Sequence, residues 1–115
     1  MPRGPQLVVI YWRDIPTQVN GMHRREKHQI QLHPRFMRTV DRAAMAAGIT
    51  TNSDYVAEWR RATRPVDPDR LAEETRVLAD ELEAAFPLTV LDRYVATGGW
   101  SPDTHPPLVT GDSTA

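Results

Sequence analysis

The sequence predicts a small α+β domain, in which an antiparallel sheet of about three strands is followed by three to four helices packed on one face. Two observations predict this class. In the first third of the chain, apolar residues either alternate with polar ones or form one short β-branched run, as they do in strands. From Pro34 onward the apolar period changes to 3.6 residues, which is typical of helices that cover a sheet.

The composition fits one modest globular domain. The chain has 115 residues, of which 40% are hydrophobic and 25% are charged. Its 14 basic and 15 acidic residues nearly cancel, so no overall field attracts nucleic acid or an anionic membrane. The absence of cysteine excludes disulfides, thiolate catalysis and cysteine-ligated metals. The longest apolar run is far below the roughly 20 residues of a membrane span, and we expect a cytoplasmic protein without a membrane segment.

The first strand is predicted over residues 7–12, the most apolar and β-branched run in the chain. Such a run is typical of a strand buried on both faces, so the other elements should pack around it. The run ends in a charged turn, because Pro16 has no backbone N–H and disfavours the helical conformation at Ile15. Residues 1–5, with two prolines and a glycine, are predicted to be a flexible lead-in.

Two further strands are predicted before the helices begin. Residues 17–22 have extended propensity, and Asn20 with Gly21 could form a turn or a bulge there. Residues 29–32 alternate polar and apolar side chains, which predicts a strand with one solvated face.

The first two helices are predicted from apolar spacing and end signals. The first begins at Pro34, presents one apolar face and stops at Gly48, a residue suited to the left-handed stop position. The second is predicted from about Asp54 to about Thr63, with capping residues before it.

A linker at residues 64–68 leads to the longest predicted helix, at residues 67–86. Its apolar stripe, which includes Leu78 and Leu82, is narrow, so the helix could complete the core or dock on a partner. A shorter helix begins at Leu88 and stops at a pair of glycines.

Several short blocks in the first half of the chain resemble a known bacterial family. The blocks are Tyr11-Trp12-Arg13-Asp14-Ile15-Pro16, Gln18-Val19, Arg35-Phe36, Asp41-Arg42-Ala43-Ala44-Met45 and Glu58-Trp59-Arg60-Arg61. Over about residues 7–62 they resemble the virulence factor domain of conserved virulence factor C proteins. The resemblance implies a domain that occurs alone or within a longer virulence-associated protein, and it supplies no catalytic residues.

The resemblance and the linker together suggest how the chain is organised. We expect a virulence-factor-like α+β domain at residues 6–64, a helical extension at residues 65–100 and a disordered tail at residues 101–115, where prolines are frequent and apolar residues are few.

Trp12, Arg13 and Asp14 are the sharpest functional candidates. A tryptophan beside an arginine–aspartate pair at a strand end offers stacking and charge-assisted hydrogen bonds. The alternative is structural, with Asp14 capping its own turn and Trp12 in the core. We favour the structural interpretation, because aspartate and proline at turns usually serve the backbone.

Trp59, Arg60 and Arg61 form a second candidate set. At the end of the predicted second helix, the two cations would complement the helix dipole. A half-exposed tryptophan flanked by two arginines is equally the composition of an interface hot spot. Together with Leu78 and Leu82, these residues are predicted to contact a partner.

Histidines and basic residues between residues 22 and 38 give weaker signals. His23, His28 and His33 are five residues apart, a spacing that aligns on neither a strand nor a helix, so we predict no metal site. The basic residues of this segment are Arg24, Arg25, Lys27, Arg35 and Arg38. They could meet phosphates, but an acidic residue interrupts them and stacking aromatics are missing, so a solvated hairpin is favoured.

The sequence contains no glycine-rich phosphate loop, nucleophile elbow or HExxH motif, so we predict no catalytic residues and no cofactor. The leading hypothesis is a non-catalytic adaptor or accessory module that binds a protein partner of unknown identity. One alternative is an accessory component of a one-carbon system with a methylenetetrahydrofolate reductase or a corrinoid methyltransferase, which rests on family association alone. The other is a nucleic-acid-binding module that uses the basic hairpin at residues 22–38.

Overall fold

A four-stranded antiparallel sheet is the base of the structure, a computed structural model that describes residues 4–104. Its strands are β1 (Gln6–Trp12), β2 (Ile15–His23), β3 (Glu26–Gln31) and β4 (Trp59–Pro65), in the spatial order β3-β2-β1-β4. The helices are α1 (Pro34–Ala46), α2 (Asn52–Val56), α3 (Leu71–Ala85) and α4 (Leu88–Ala96), with one 3₁₀ turn at Pro68–Arg70. The predicted α+β class is confirmed, and the sheet has one strand more than predicted.

The strand β1 lies inside the sheet, as its apolar run predicts. It pairs with β2 along one edge and with β4 along the other. Leu7, Val8 and Trp12 are almost completely buried, whereas Ile10 and Tyr11 are partly exposed. The strand β1 is therefore an inner strand, with β2 on one side and β4 on the other.

The strand β4 replaces the second half of the predicted second helix, whose predicted extent to about Thr63 is wrong. The helix α2 ends at Val56, and the chain is extended again from Trp59. The N–H and C=O groups on both edges of a buried strand need partners, and β1 obtains those of its second edge from β4. The apolar residues of this segment have helical spacing, but pairing with β1 stabilises the extended conformation more. Tertiary contacts of this kind can override a local preference.

Asn20 and Gly21 lie within β2, so the predicted turn or bulge at this dipeptide is wrong. A Cβ atom on Gly21 would collide with Oγ1 of Thr75 and would lie 3.2 Å from Cδ1 of Leu71. The glycine therefore serves the close approach of α3 to the backbone of β2.

The helix α3 covers the sheet and completes the core. It packs mainly on β2 and β3 and reaches β1, and Leu71, Thr75 and Leu78 are buried. The predicted helix at residues 67–86 is therefore a 3₁₀ turn followed by α3, and Asp67 caps the turn by accepting a hydrogen bond from the N–H of Asp69 at 2.8 Å.

The helices α1 and α4 pack against each other beside the sheet. Phe36, Val40 and Leu91 are fully buried, and Gly48 follows α1 with a φ of 74°, the left-handed stop that the sequence predicts. Residues 1–3 of the predicted lead-in and residues 105–115 of the predicted tail lie outside the described residues.

Replacing Gly21 with alanine should destabilise the domain by about 1–3 kcal/mol, because the new methyl group forces α3 away from the sheet. Thermal and urea unfolding would measure the loss. The matched control is Gly4→Ala, because a Cβ there meets nothing within 4 Å. Adding Thr75→Ala should recover part of the loss. Equal stability of the two alanine variants would contradict the packing of α3 on Gly21.

Candidate functional site

Arg13 and Asp14 form the turn between β1 and β2, and their backbone groups reach two distant segments. Arg13 has a φ of 53°, which is uncommon for a residue with a side chain. Its N–H donates to the carbonyl of Glu58 at 3.0 Å, and the N–H of Asp14 donates to the carbonyl of Gly99 at 2.9 Å. The turn is thereby joined to the chain just before β4 and to the chain after α4.

The side chain of Arg13 is surrounded by acceptors and aromatic rings. Its Nε donates to Oε1 of Glu58 at 3.2 Å, and its Nη1 donates to the carbonyl of Gly98 at 2.9 Å. The guanidinium carbon lies 5.1 Å from the ring centre of Trp12 and 5.0 Å from that of Trp100. At these distances both indole rings attract the cation, and only 15% of the side chain is exposed.

Both carboxylate oxygens of Asp14 bind partners that are distant in sequence. Oδ1 accepts a hydrogen bond from Nη2 of Arg60 at 2.9 Å, and Oδ2 accepts one from the N–H of Ser101 at 2.8 Å. The predicted structural role, in which Asp14 caps its own turn, therefore takes a different form. Asp14 joins β4 to the segment that follows α4.

Arg60 completes this arrangement from β4. Its Nε donates to the carbonyl of Arg13 at 2.8 Å, and its guanidinium carbon lies 4.4 Å from the ring centre of Tyr11. Burial raises the pKa of the Tyr11 hydroxyl, and the nearby Arg60 cation opposes that rise. We call Arg13, Asp14, Glu58, Arg60 and Trp100 the turn cluster.

Trp12 anchors the turn cluster to the core. Its Nε1 donates to the carbonyl of Tyr55 at 2.9 Å, and the two rings lie 5.6 Å apart. The ring of Tyr55 also contacts Trp59 edge-on, at 6.1 Å. A Cβ on Gly99, whose φ is 101°, would lie 2.8 Å from the Trp12 ring. Trp12 is fully buried, as the structural interpretation predicts.

The structure thus brings together Trp12, Arg13, Asp14, Trp59 and Arg60, and it separates the other candidates from them. Arg61 alternates with Arg60 along β4, so it points to the opposite face of the sheet.

The leucine candidates lie on α3. Leu78 is 9% exposed and belongs to the core, and Leu82 packs against that core from a partly exposed position. Contact of either leucine with a partner stays a prediction.

The contacts of Trp100 and Ser101 with Arg13 and Asp14 are not predicted from the sequence. The only local signal is the pair Gly98 and Gly99, whose φ values of 71° and 101° place both in the left-handed region. We interpret this pair in the sequence as a helix stop, and it is also the backbone that approaches Trp12 and Arg13.

The histidines have separate contacts. The carboxylate of Glu26 lies 2.6 Å from Nε2 of His28, while His33 caps α1, since its Nδ1 accepts a hydrogen bond from the N–H of Arg35 at 3.0 Å. Within residues 4–104, no three histidine or acidic side chains are grouped as a metal site requires.

The basic hairpin is not one continuous surface. Arg35 donates to the carbonyls of Glu83 and Phe86, at 2.8 and 3.2 Å, and so satisfies the last turn of α3. Arg24, Arg25 and Lys27 are exposed at the other end of β3 from Arg35.

Among the described helices, none combines the length and the apolar character that crossing a bilayer requires.

Asp14→Ala should lower the free energy of unfolding by about 1.5–3 kcal/mol, because it removes charge-assisted hydrogen bonds to Arg60 and to the N–H of Ser101. Asp92→Ala is the matched control, since Asp92 forms an exposed pair with Arg42 and should cost less than about 1 kcal/mol. Urea unfolding of both variants measures the difference. Equal losses would show that Asp14 contributes no more than a surface ion pair.

No curated protein and no solved structure matches this chain. A family model described as Virulence factor matches residues 10–95. This match includes the turn cluster up to Arg60, and it extends past the resemblance expected over residues 7–62 to include all of α3 and most of α4. The chain belongs to the Virulence factor family.

Proposed function

We propose that this domain is a non-catalytic adaptor that binds a partner protein through the surface of β4. The observation that carries the proposal is the composition of this edge strand, on which a half-buried Trp59 is followed by exposed Arg60 and Arg61. Tryptophan and arginine are the residues most enriched at the energetic centres of protein interfaces.

Two of these side chains are held in place before any partner binds. The ring of Trp59 rests edge-on against Tyr55 at 6.1 Å, and Arg60 is fixed by Asp14 and by the carbonyl of Arg13. Binding orders such side chains at little entropic cost, so their contacts contribute more of their energy to affinity. The turn cluster therefore holds Arg60 of the proposed interface in place.

The polar groups of the turn cluster bind one another and nearby backbone groups, which favours a structural role over a catalytic one. Arg13 binds Glu58 and Gly98, and Asp14 binds Arg60 and Ser101. Among residues 4–104, every fully buried side-chain nitrogen or oxygen has a hydrogen-bond partner. A catalytic group instead needs a free donor or acceptor directed at its substrate.

The two alternative functions stay predictions. The engagement of Arg35 with the end of α3 removes one cation from the basic hairpin, which lowers its suitability for nucleic acid. An accessory role in a one-carbon system rests on family association alone.

Capture of partners from the extract of the cell that makes the protein tests the proposal. We expect the full chain to retain one protein specifically, and Trp59→Ala or Arg61→Glu to lose it. Arg38→Glu, the same charge change on an exposed position of α1, is the control and should retain the partner. Melting temperatures should confirm that all variants are folded. Retention by the β4 variants, or loss by all variants alike, would contradict binding through β4.

A further inference from the structure

The outer edge of β4 is a free sheet edge. β4 is a terminal strand of the sheet, and within residues 4–104 its backbone forms hydrogen bonds with β1 alone. Alternate N–H and C=O groups of such a strand point away from the sheet, in the geometry that an added strand requires. The strand contains one proline, Pro65, which lacks a backbone N–H and lies at its last position.

A groove runs beside this edge on the face that carries α3. Because α3 packs mainly on β2 and β3, it leaves space above the paired residues of β1 and β4. The groove has a volume of about 170 Å³. We call it the edge groove, and its main lining residues are Leu7, Val9, Tyr11, Ala62, Arg64 and Leu78. Its floor is largely apolar, and Ala62 is the small residue that leaves it open.

Arg64 gives the edge groove its charge. Its side chain is exposed, and no ion pair or hydrogen bond of its side chain is found among the described residues. Arg60, on the same face, already pairs with Asp14. Among the described residues that line the groove, Arg64 is therefore a cation without an ion pair.

A second copy of the chain fits this edge poorly. Antiparallel pairing of two β4 strands centred on Ala62 would place Arg60 opposite Arg64 twice, and like charges opposite each other destabilise a strand pair. The same cations attract a strand of opposite charge.

We propose that the free edge of β4 takes up an extended peptide segment as a fifth strand, with an apolar side chain over Ala62 and an acidic side chain two residues away beside Arg64. Side chains two apart share a face of a strand, so one segment can satisfy both positions. This inference rests on the proposed function and names the class of segment that the partner supplies.

Two short fluorescein-labelled peptides test the inference by fluorescence anisotropy with the full chain. Each contains one leucine and one glutamate two positions apart, in opposite orders, with serine and threonine elsewhere. We expect one of them to bind saturably. N-methylation of the backbone nitrogens that face β4 should abolish binding, because added strands are held by main-chain hydrogen bonds.

Arg64→Glu should weaken the binding peptide by about tenfold or more, because it replaces attraction by repulsion. Arg38→Glu is the matched control, since it makes the same charge change on an exposed position of α1, outside β4; it should change the affinity by less than about twofold. Far-UV spectra and melting temperatures should show that both variants are folded.

Three results would overturn the inference: no saturable binding of either peptide, equal weakening by both variants, or binding that N-methylation leaves intact. A dimer of the full chain that Arg64→Glu strengthens would assign the edge to a second copy and would also overturn it. Capture of a partner that depends on Trp59 together with failure of the peptides would leave the proposed function standing and remove only this inference.

Discussion

The rest of the structure depends on the contacts that the two-residue turn between β1 and β2 makes with distant segments of the chain. Arg13 reaches Glu58, 45 positions away, and Gly98, 85 positions away, while Asp14 reaches Arg60 and Ser101, 46 and 87 positions away. Each of these contacts closes a long loop, and loop closure costs entropy that local hydrogen bonds cannot offset. They form because Trp12, buried beneath the turn, contributes the apolar contact that holds the three segments together.

Local sequence signals predict the elements that local forces determine. The apolar run of β1, the first-turn proline of α1 and its stop at Gly48 all lie where the sequence places them. The strand β4 is different, because its residues have helical spacing and become extended only by pairing with β1. The two strands are far apart in the chain, so local sequence patterns do not show that they pair. This part of the fold depends on tertiary contacts that cannot be predicted from one sequence.

The same distinction applies to the candidate site. Trp12, Arg13 and Asp14 can be identified from the sequence, because a charged pair after a buried strand is a local pattern. Their partners Ser101 and Trp100 cannot, because these residues lie beyond α4 in a segment with few apolar residues. The match to the Virulence factor family, over residues 10–95, includes the turn, all of β2 and the last three residues of β1. The turn cluster holds Arg60 of the surface that we propose on β4, so we expect changes in the cluster to affect stability and binding together.

Hydrogen exchange of two N–H groups tests the central claim most directly. The indole N–H of Trp12 is bonded to Tyr55 and the backbone N–H of Asp14 to Gly99, so both bonds must break if the turn separates from its neighbours. If the turn holds the fold together, both protons exchange only through global unfolding, and their exchange free energies fall with denaturant as steeply as that of the Val9 amide in the sheet. Exchange that is fast and independent of denaturant at Asp14, with Val9 still protected, would show that the turn opens alone and would contradict the account.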